Sequence, residues 1–351
     1  MDRIATMSRF LLLLCLLVAI DAQYFDVSGY RRIETGTFYR ADFLYDGILY
    51  TAPHDGIIQF KIRGANGGDQ EYTNDGPAMG GGGTYGFYEW IMKKNEQYHL
   101  VWGEKGRGDG TAIGKGGGSL APSFIRNGCG GDGQGLGGSF YGTGGGQASS
   151  VRFVNGTKWV LLIMAAGGSG VHTDAATVDR FAFPAPEWGG YPGSGSIGVN
   201  SNIQLEPVMA LNNQVVGPCA QSGNYGYGGG YGVSPTNPLQ AGSYYRVDPS
   251  RTVAAQLIGG STEPPDASIP ANLYDPDLFG GGCNGEGCIH VRTFGLCPMS
   301  CPEHMECSSD TQFKCECKAG LIKNGTRCEC PSDSYYGPTC TACACGAGFA
   351  C

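Results

Sequence analysis

Charge is scarce in this chain. Asp, Glu, Lys and Arg make up only 15% of its 351 residues, and 31 acidic residues outnumber 23 basic ones, for a formal net charge of −8. No basic patch or stripe is present to neutralise phosphates, which argues against a nucleic-acid partner. Acidity favours solubility and leaves room for a basic partner. Histidine is rarer still. The five (His54, His99, His172, His290, His304) show no metal-ligand spacing, so no metal or cofactor is expected and structural roles are the default. Long apolar runs are missing too. The longest internal one, Trp159–Ala166, runs into Gly167-Gly168, far short of the roughly 20 residues of a membrane span. No stretch keeps a helical period over several turns. Catalytic signatures are equally thin. Gly133-Gln-Gly-Leu-Gly-Gly138 fits a dinucleotide fingerprint in letters only, since it follows no strand and opens no helix. Gly114-Lys115 lacks the upstream Gly and the following Ser/Thr of a phosphate loop, and no Gly-x-Ser-x-Gly elbow occurs. An enzyme is not expected.

What the chain has instead is glycine: 62 residues, about 18% where about 7% is usual. Collagen is excluded, because no Gly-X-Y register persists and 19 Pro are too few. Disorder is excluded by 41% hydrophobic and 11% aromatic residues. Strand signals recur. Ile58, Phe60 and Ile62 alternate with Gln59, Lys61 and Arg63, a pattern of period two that predicts a half-buried strand. Phe87–Trp90 and Tyr98–Trp102, joined by the polar turn Lys93–Gln97, read as a hairpin-type pair. Val151–Val154 and Lys158–Ile163 flank Asn155-Gly156, a strong turn dipeptide. Ile289–Phe294 is a late strand. Glycine blocks (80–83, 114–118, 128–146, 189–198, 226–232, 280–282) sit between these strands, an arrangement unlike a linker. Extended three-per-turn segments have no internal hydrogen bonds, so a bundle of them would satisfy its amides between segments. Long surface loops are the alternative, and composition does not choose between the two.

The N-terminus supplies the compartment. A basic start with Arg3 and Arg9, the apolar run Phe10–Ile20 and a small residue at Ala22 predict a secretory signal over residues 1–22. Of 16 Cys, thirteen lie between Cys283 and Cys351, too dense for a reducing cytosol. Removing Cys15 with the signal leaves an odd fifteen, and the sequence given ends on Cys351, as if inside a disulfide module. Asn155-Gly-Thr157 and Asn324-Gly-Thr326 are glycosylation sequons for a secreted surface.

After Phe294 the composition switches. The spacing Cys297-x3-Cys301-x5-Cys307-x7-Cys315-x-Cys317-x10-Cys328 resembles an EGF-like module. That resemblance implies the pairs Cys297–Cys307, Cys301–Cys315 and Cys317–Cys328, although six cysteines allow 15 pairings. A rival division centres on Cys328-Glu-Cys330 and takes Cys340 as the sixth cysteine. The first division is preferred because it leaves one complete module, at 296–329, with 330–351 a second EGF or laminin-type repeat cut short. Cys283 and Cys288, flanking Asn284-Gly-Glu-Gly287, suit a small loop of their own.

Several stretches are similar to one family: Ile57–Gly68, Val101-Trp-Gly-Glu-Lys-Gly106, Gly144–Phe153, Leu161–Gly170 and Thr173-Asp-Ala-Ala. In this order, with an EGF-like module behind, they resemble the extracellular glycine-rich domain of the anaplastic lymphoma kinase and leukocyte tyrosine kinase receptors. The resemblance covers roughly residues 45–330. It implies a mainly β fold over 23–295, a TNF-like β-sandwich with an inserted bundle of polyglycine helices. It also implies a secreted or cell-surface ectodomain that binds a small secreted, basic cytokine, with a ligand-induced dimer and a membrane role only within a longer receptor. The family's acidic segment before the last sandwich strand maps onto Asp275, Asp277 and Glu286, the candidate ligand-binding residues; a solvated loop is the bland alternative. Glycine runs here are shorter than the family's, and neither a transmembrane helix nor a kinase is present in this sequence. Two readings from other classes stand beside this one. The first is a structural glycine-rich matrix or coat protein; the second is adhesion through the integrin-type tripeptide Arg107-Gly108-Asp109.

Overall fold

The computed structural model describes residues 24–40, 47–69, 80–108, 117, 130, 143–156, 158–168, 170, 198–200, 209–210, 243–258, 283–309, 312–325, 327–329, 335–336 and 341–342. Outside the described residues lie the signal segment, Asp109, Gly133–Gly138, Asp275, Asp277 and the cysteines beyond Cys328.

The described residues form β-structure and no helix. In chain order the strands of the main body are β1 (Tyr30–Arg40), β2 (Ile48–Thr51), β3 (Gly56–Arg63), β4 (Tyr85–Met92), β5 (Gln97–Val101), β6 (Ser149–Asn155), β7 (Lys158–Ala165), β8 (Gly198–Asn200), β9 (Met209–Ala210), β10 (Tyr244–Arg246), β11 (Thr252–Ile258) and β12 (Cys288–Pro298). One antiparallel sheet has the order β1-β12-β3-β4-β11, and a second runs β2-β5-β6-β7-β10-β8 with β9 beside β7. Ile58, Phe60, Ile62, Tyr88, Trp90, Ile289 and Val291 from the first sheet meet Tyr98, Leu100, Val151 and Ile163 from the second in one buried core. The two sheets therefore pack face to face, as a sandwich must to bury one apolar face of each.

Two sequence expectations need correction. β4 and β5 do not pair with each other. β4 lies between β3 and β11 in the first sheet, and β5 between β2 and β6 in the second. The polar turn after Met92, with Asn95 at φ 68°, carries the chain across the sandwich. The crossing lets Tyr88 and Trp90 face Tyr98 and Leu100 from opposite sides of one core, which suits two apolar faces better than a flat hairpin. The second correction concerns β3, which is buried on both faces. Its polar face is satisfied within the sheet: Gln59 Nε2 donates to Glu89 Oε1 at 2.9 Å, and Arg32 Nη1 reaches the same oxygen at 2.6 Å. Paired in this way, polar side chains tolerate burial. The β6–β7 hairpin forms as expected, with a small shift. Asn155 is still paired, with Lys158, and Gly156 at φ 60° opens the turn.

Beside the sandwich, glycine-rich segments run against one another with no strand or helix pattern. Their amides bond sideways, at intervals of three. Gly64 and Gly67 donate to Thr84 and Gly81; Ala65 and Gly68 donate to Gln147 and Gly144; Asn66, between them, donates to Gly285. Gly144 and Gln147 repeat the step, donating to Arg107 and Glu104. Each segment thus serves a different neighbour with each successive residue. The segments approach so closely that a Cβ on Gly106 would overlap the Gly144 carbonyl oxygen, and one on Gly168 that of Gly81. Glycine is required here for the missing side chain and not for an unusual φ.

The C-terminal part consists of short hairpins: β13 (Met305–Glu306) with β14 (Glu316–Cys317), β15 (Ile322–Asn324) with β16 (Arg327–Glu329), and β17 (Tyr335–Tyr336) with β18 (Thr341–Ala342). Disulfides join Cys297–Cys307, Cys301–Cys315 and Cys317–Cys328, and Cys283–Cys288 closes the small loop. The sequence boundary at 295/296 falls inside β12, which carries a half-cystine at Cys288 and another at Cys297. Phe313 lies against Gly295 and meets the His54 ring at 4.7 Å, tilted 52° to it, and Arg31 Nη2 donates to the Cys307 carbonyl at 3.2 Å. One strand and these contacts seat the cysteine-rich part on the sandwich.

Candidate functional site

Glu286 is the described member of the predicted acidic segment, and its position follows from the disulfide loop. Cys283 and Cys288 hold a turn in which Glu286 N donates to Cys283 O at 2.8 Å, with Asn284 and Gly285 at positive φ. The loop leans on the glycine bundle, since Gly285 O accepts from Asn66 N and Gly287 N donates to Gly103 O, both at 2.7 Å. Glu286 is thereby aimed at the segment 103–107. Its Oε2 accepts the Lys105 backbone amide at 2.5 Å. Burial pushes the Glu286 carboxyl above the usual range, the Lys105 amide opposes that shift, and the Glu104 carboxylate adds to it.

Around it sits a rim of charge. Lys105 Nζ pairs with Asp69, and Arg107 with Glu104. Asp69 Oδ1 also accepts from Gly80 N at 2.8 Å, which ties the rim to the next glycine segment. Arg63 Nη2 donates to Asn66 Oδ1 at 3.1 Å. The Glu104 side chain is nearly buried, whereas Arg107 is more than half exposed. Asp69, Glu104 and Glu286 against Lys105, Arg107 and Arg63 leave this described part close to balanced. Its acids are occupied by its own cations and amides. Asp275 and Asp277, which precede the loop in the chain, lie outside the described residues.

The other sequence candidates fall elsewhere. Arg107 and Gly108 follow the glycine segment, with Gly108 at φ 142° and the Arg107 side chain turned to Glu104. Asn155 is exposed at the end of β6, and Asn324 is exposed at the end of β15, where its Nδ2 donates to Glu329 at 2.9 Å. Both sequons thus occupy hairpin ends, where glycan would meet solvent. The residues that sequence reading missed are Lys105, Asp69 and Glu104, which share the rim with Glu286 across up to 217 positions of chain (69 to 286). The only signal for Glu104 and Lys105 was the motif Val101–Gly106 itself, which reads as a strand end and not as a charged rim, and Asp69 falls just past the stretch Ile57–Gly68. Among the described residues no group of His, Cys, Asp or Glu could hold a metal ion. No helix among them is long and apolar enough to cross a membrane. No protein-family model matches the chain, and no curated protein matches it.

Proposed function

We propose that this chain is an extracellular ligand-binding ectodomain of the kind found in the anaplastic lymphoma kinase and leukocyte tyrosine kinase receptors, without catalytic activity of its own. In this reading the sandwich is TNF-like, the glycine segments are polyglycine-type helices, and the EGF-like part serves as spacer and second contact. The ligand is a small secreted protein with a basic surface, met by the acidic segment of Asp275, Asp277 and Glu286. Two ectodomains are brought together by it.

The observation that supports the reading most is the three-residue repeat in the lateral bonds of Gly64–Gly68, next to a two-sheet β core and ahead of disulfides in the EGF-type order. A threefold extended helix has that repeat. Mechanistically, a bundle with its backbone donors and acceptors met by neighbours cannot flex segment by segment. It would hold the Glu286 loop in one place, lowering the ordering cost of binding. Complementary charge at the rim would raise the association rate and reject acidic proteins. Purified secreted chain, shown folded by a cooperative thermal transition, is tested by biolayer interferometry against a panel of small basic secreted proteins. Binding that weakens with salt and with Glu286→Gln is expected. A folded chain that binds none of them overturns the reading.

A further inference from the structure

The outer face of the second sheet carries a group that the proposed function leaves unused. Val151 and Phe153 of β6 pack into the core, so Arg152 between them projects from the opposite face. There it is 1% exposed, and Nε, Nη1 and Nη2 have no hydrogen-bond partner among the described residues. The register sets Arg152 opposite His99 of β5, and the Trp159 ring of β7 lies 4.2 Å from the His99 ring, tilted 31° to it. Arg152 Cζ lies 5.7 Å from the Trp159 ring. Trp159 Nε1 and Ser150 Oγ are buried and unpartnered as well.

The orphans share a chemistry. A guanidinium and an indole N–H only donate, and the Ser150 hydroxyl can donate too. The Trp159 ring face supports the cation but satisfies none of its N–H groups. An ionised guanidinium out of water with no acceptor is among the most costly arrangements a fold can hold. Burial pushes Arg152 down to about 10, still charged at neutral pH. The missing component is an acceptor with negative charge, and a planar oxyanion matches the guanidinium fork.

We infer that Arg152 anchors a buried oxyanion site on the outer face of the second sheet, in which a carboxylate-type group accepts from the guanidinium with Trp159 Nε1 and Ser150 Oγ as further donors. The oxyanion comes from solution.

The test reads the thermal midpoint of the full secreted chain, dialysed free of carboxylates, against sodium formate at constant ionic strength. A midpoint that climbs with the logarithm of formate, and no longer does so in Arg152→Met, supports an oxyanion from solution. Should Arg152→Met fail to fold, Arg152→Lys takes its place, with the fork lost and the charge kept. The inference is overturned if formate has no effect on the midpoint. It is equally overturned if Arg152→Met is as stable as the parent chain.

Discussion

The glycine bundle and the cysteine-rich module both have to be ordered with very little apolar side chain, and they meet that need in opposite ways. The bundle removes the side chain. Its segments bond amide to carbonyl with their neighbours, as Gly64 does to Thr84 and Gly144 to Arg107, and Cα hydrogens face the carbonyls where a Cβ would collide. The module keeps its side chains exposed, builds strands of two or three residues, and buries little beyond Cys297, Cys307 and Cys328. It is held by cross-links that restrict its unfolded chain. The bundle should therefore fail on one added methyl group and respond to reductant only where the Cys283–Cys288 loop touches it, and the module should do the reverse.

The largest effect is expected from methyl groups in the bundle. Gly106→Ala and Gly168→Ala each place a Cβ on a neighbouring backbone carbonyl, which cannot swing aside like a side chain. Each should cost about 3 kcal/mol or more, and secretion of folded protein should drop with it. Gly325→Ala in the module meets open space, and its φ of 63° should limit the loss to about 1 kcal/mol. Gly29→Ala, with neither a neighbour nor a positive φ, should stay within about 0.5 kcal/mol. Thermal midpoints of the four variants give the ranking. If Gly106→Ala matches Gly29→Ala, the close backbone packing is not real.

That contrast also explains what could be read in advance. Glycine spacing between strands was visible, but it left a bundle and long surface loops equally open until the sideways amide bonds were in hand. The pairs Cys297–Cys307, Cys301–Cys315 and Cys317–Cys328 came from the resemblance to an EGF-like module, and the structure joins the same ones; spacing alone left 15 pairings open. Partner choice across the sandwich was hidden. Phe87–Trp90 and Tyr98–Trp102 read as neighbours because period and turn length are local signals. Whether a turn folds back or crosses to the other sheet is decided by the core both strands fill. The outer face of β3 was misjudged for a related reason: Gln59 looks solvated until Glu89 and Arg32 arrive from other strands. Of the rim, the acid at Glu286 was legible. Its partner, the Lys105 amide, was not, because a backbone donor leaves no mark on sequence.

Breaking the cross-links tests the comparison from the other side. Cys301→Ser with Cys315→Ser removes a link between residues 14 apart, worth about 3 kcal/mol by loop entropy. The expected result is proteolytic cutting within 300–329 while the main thermal transition keeps its midpoint. Cys283 and Cys288, only 5 apart, should yield about 2 kcal/mol on the same account. Their loop touches Asn66 and Gly103, so this pair should loosen one end of the bundle as well, read as faster amide exchange at Asn66 and Gly287. Exchange unchanged there would make the bundle self-sufficient. Phe313→Ala, which empties the contact with Gly295 and His54, should cost about 1 kcal/mol and show as independent tumbling of the module.

The smallest effect is the one that bears on the rim. Burial raises the Glu286 carboxyl in the folded chain, so the folded state holds its proton more tightly than the unfolded state does. The stability this contributes is complete below the unfolded carboxyl value of about 4.3 and is lost as pH rises through the raised folded value. At neutral pH the ionised Glu286 is thus a mild liability, kept in place by the Lys105 amide. Glu286→Gln retains an acceptor for that amide and never ionises. It should raise the midpoint slightly at pH 7 and leave it unchanged below pH 4, as measured by thermal melts across the range. A variant less stable at pH 7 would mean that the negative charge itself holds the rim, through Lys105 and Arg107. A neutral variant more stable than the parent at pH 7 would mean that Glu286 is not kept as an acid for the fold, in keeping with the ligand-binding role proposed for it.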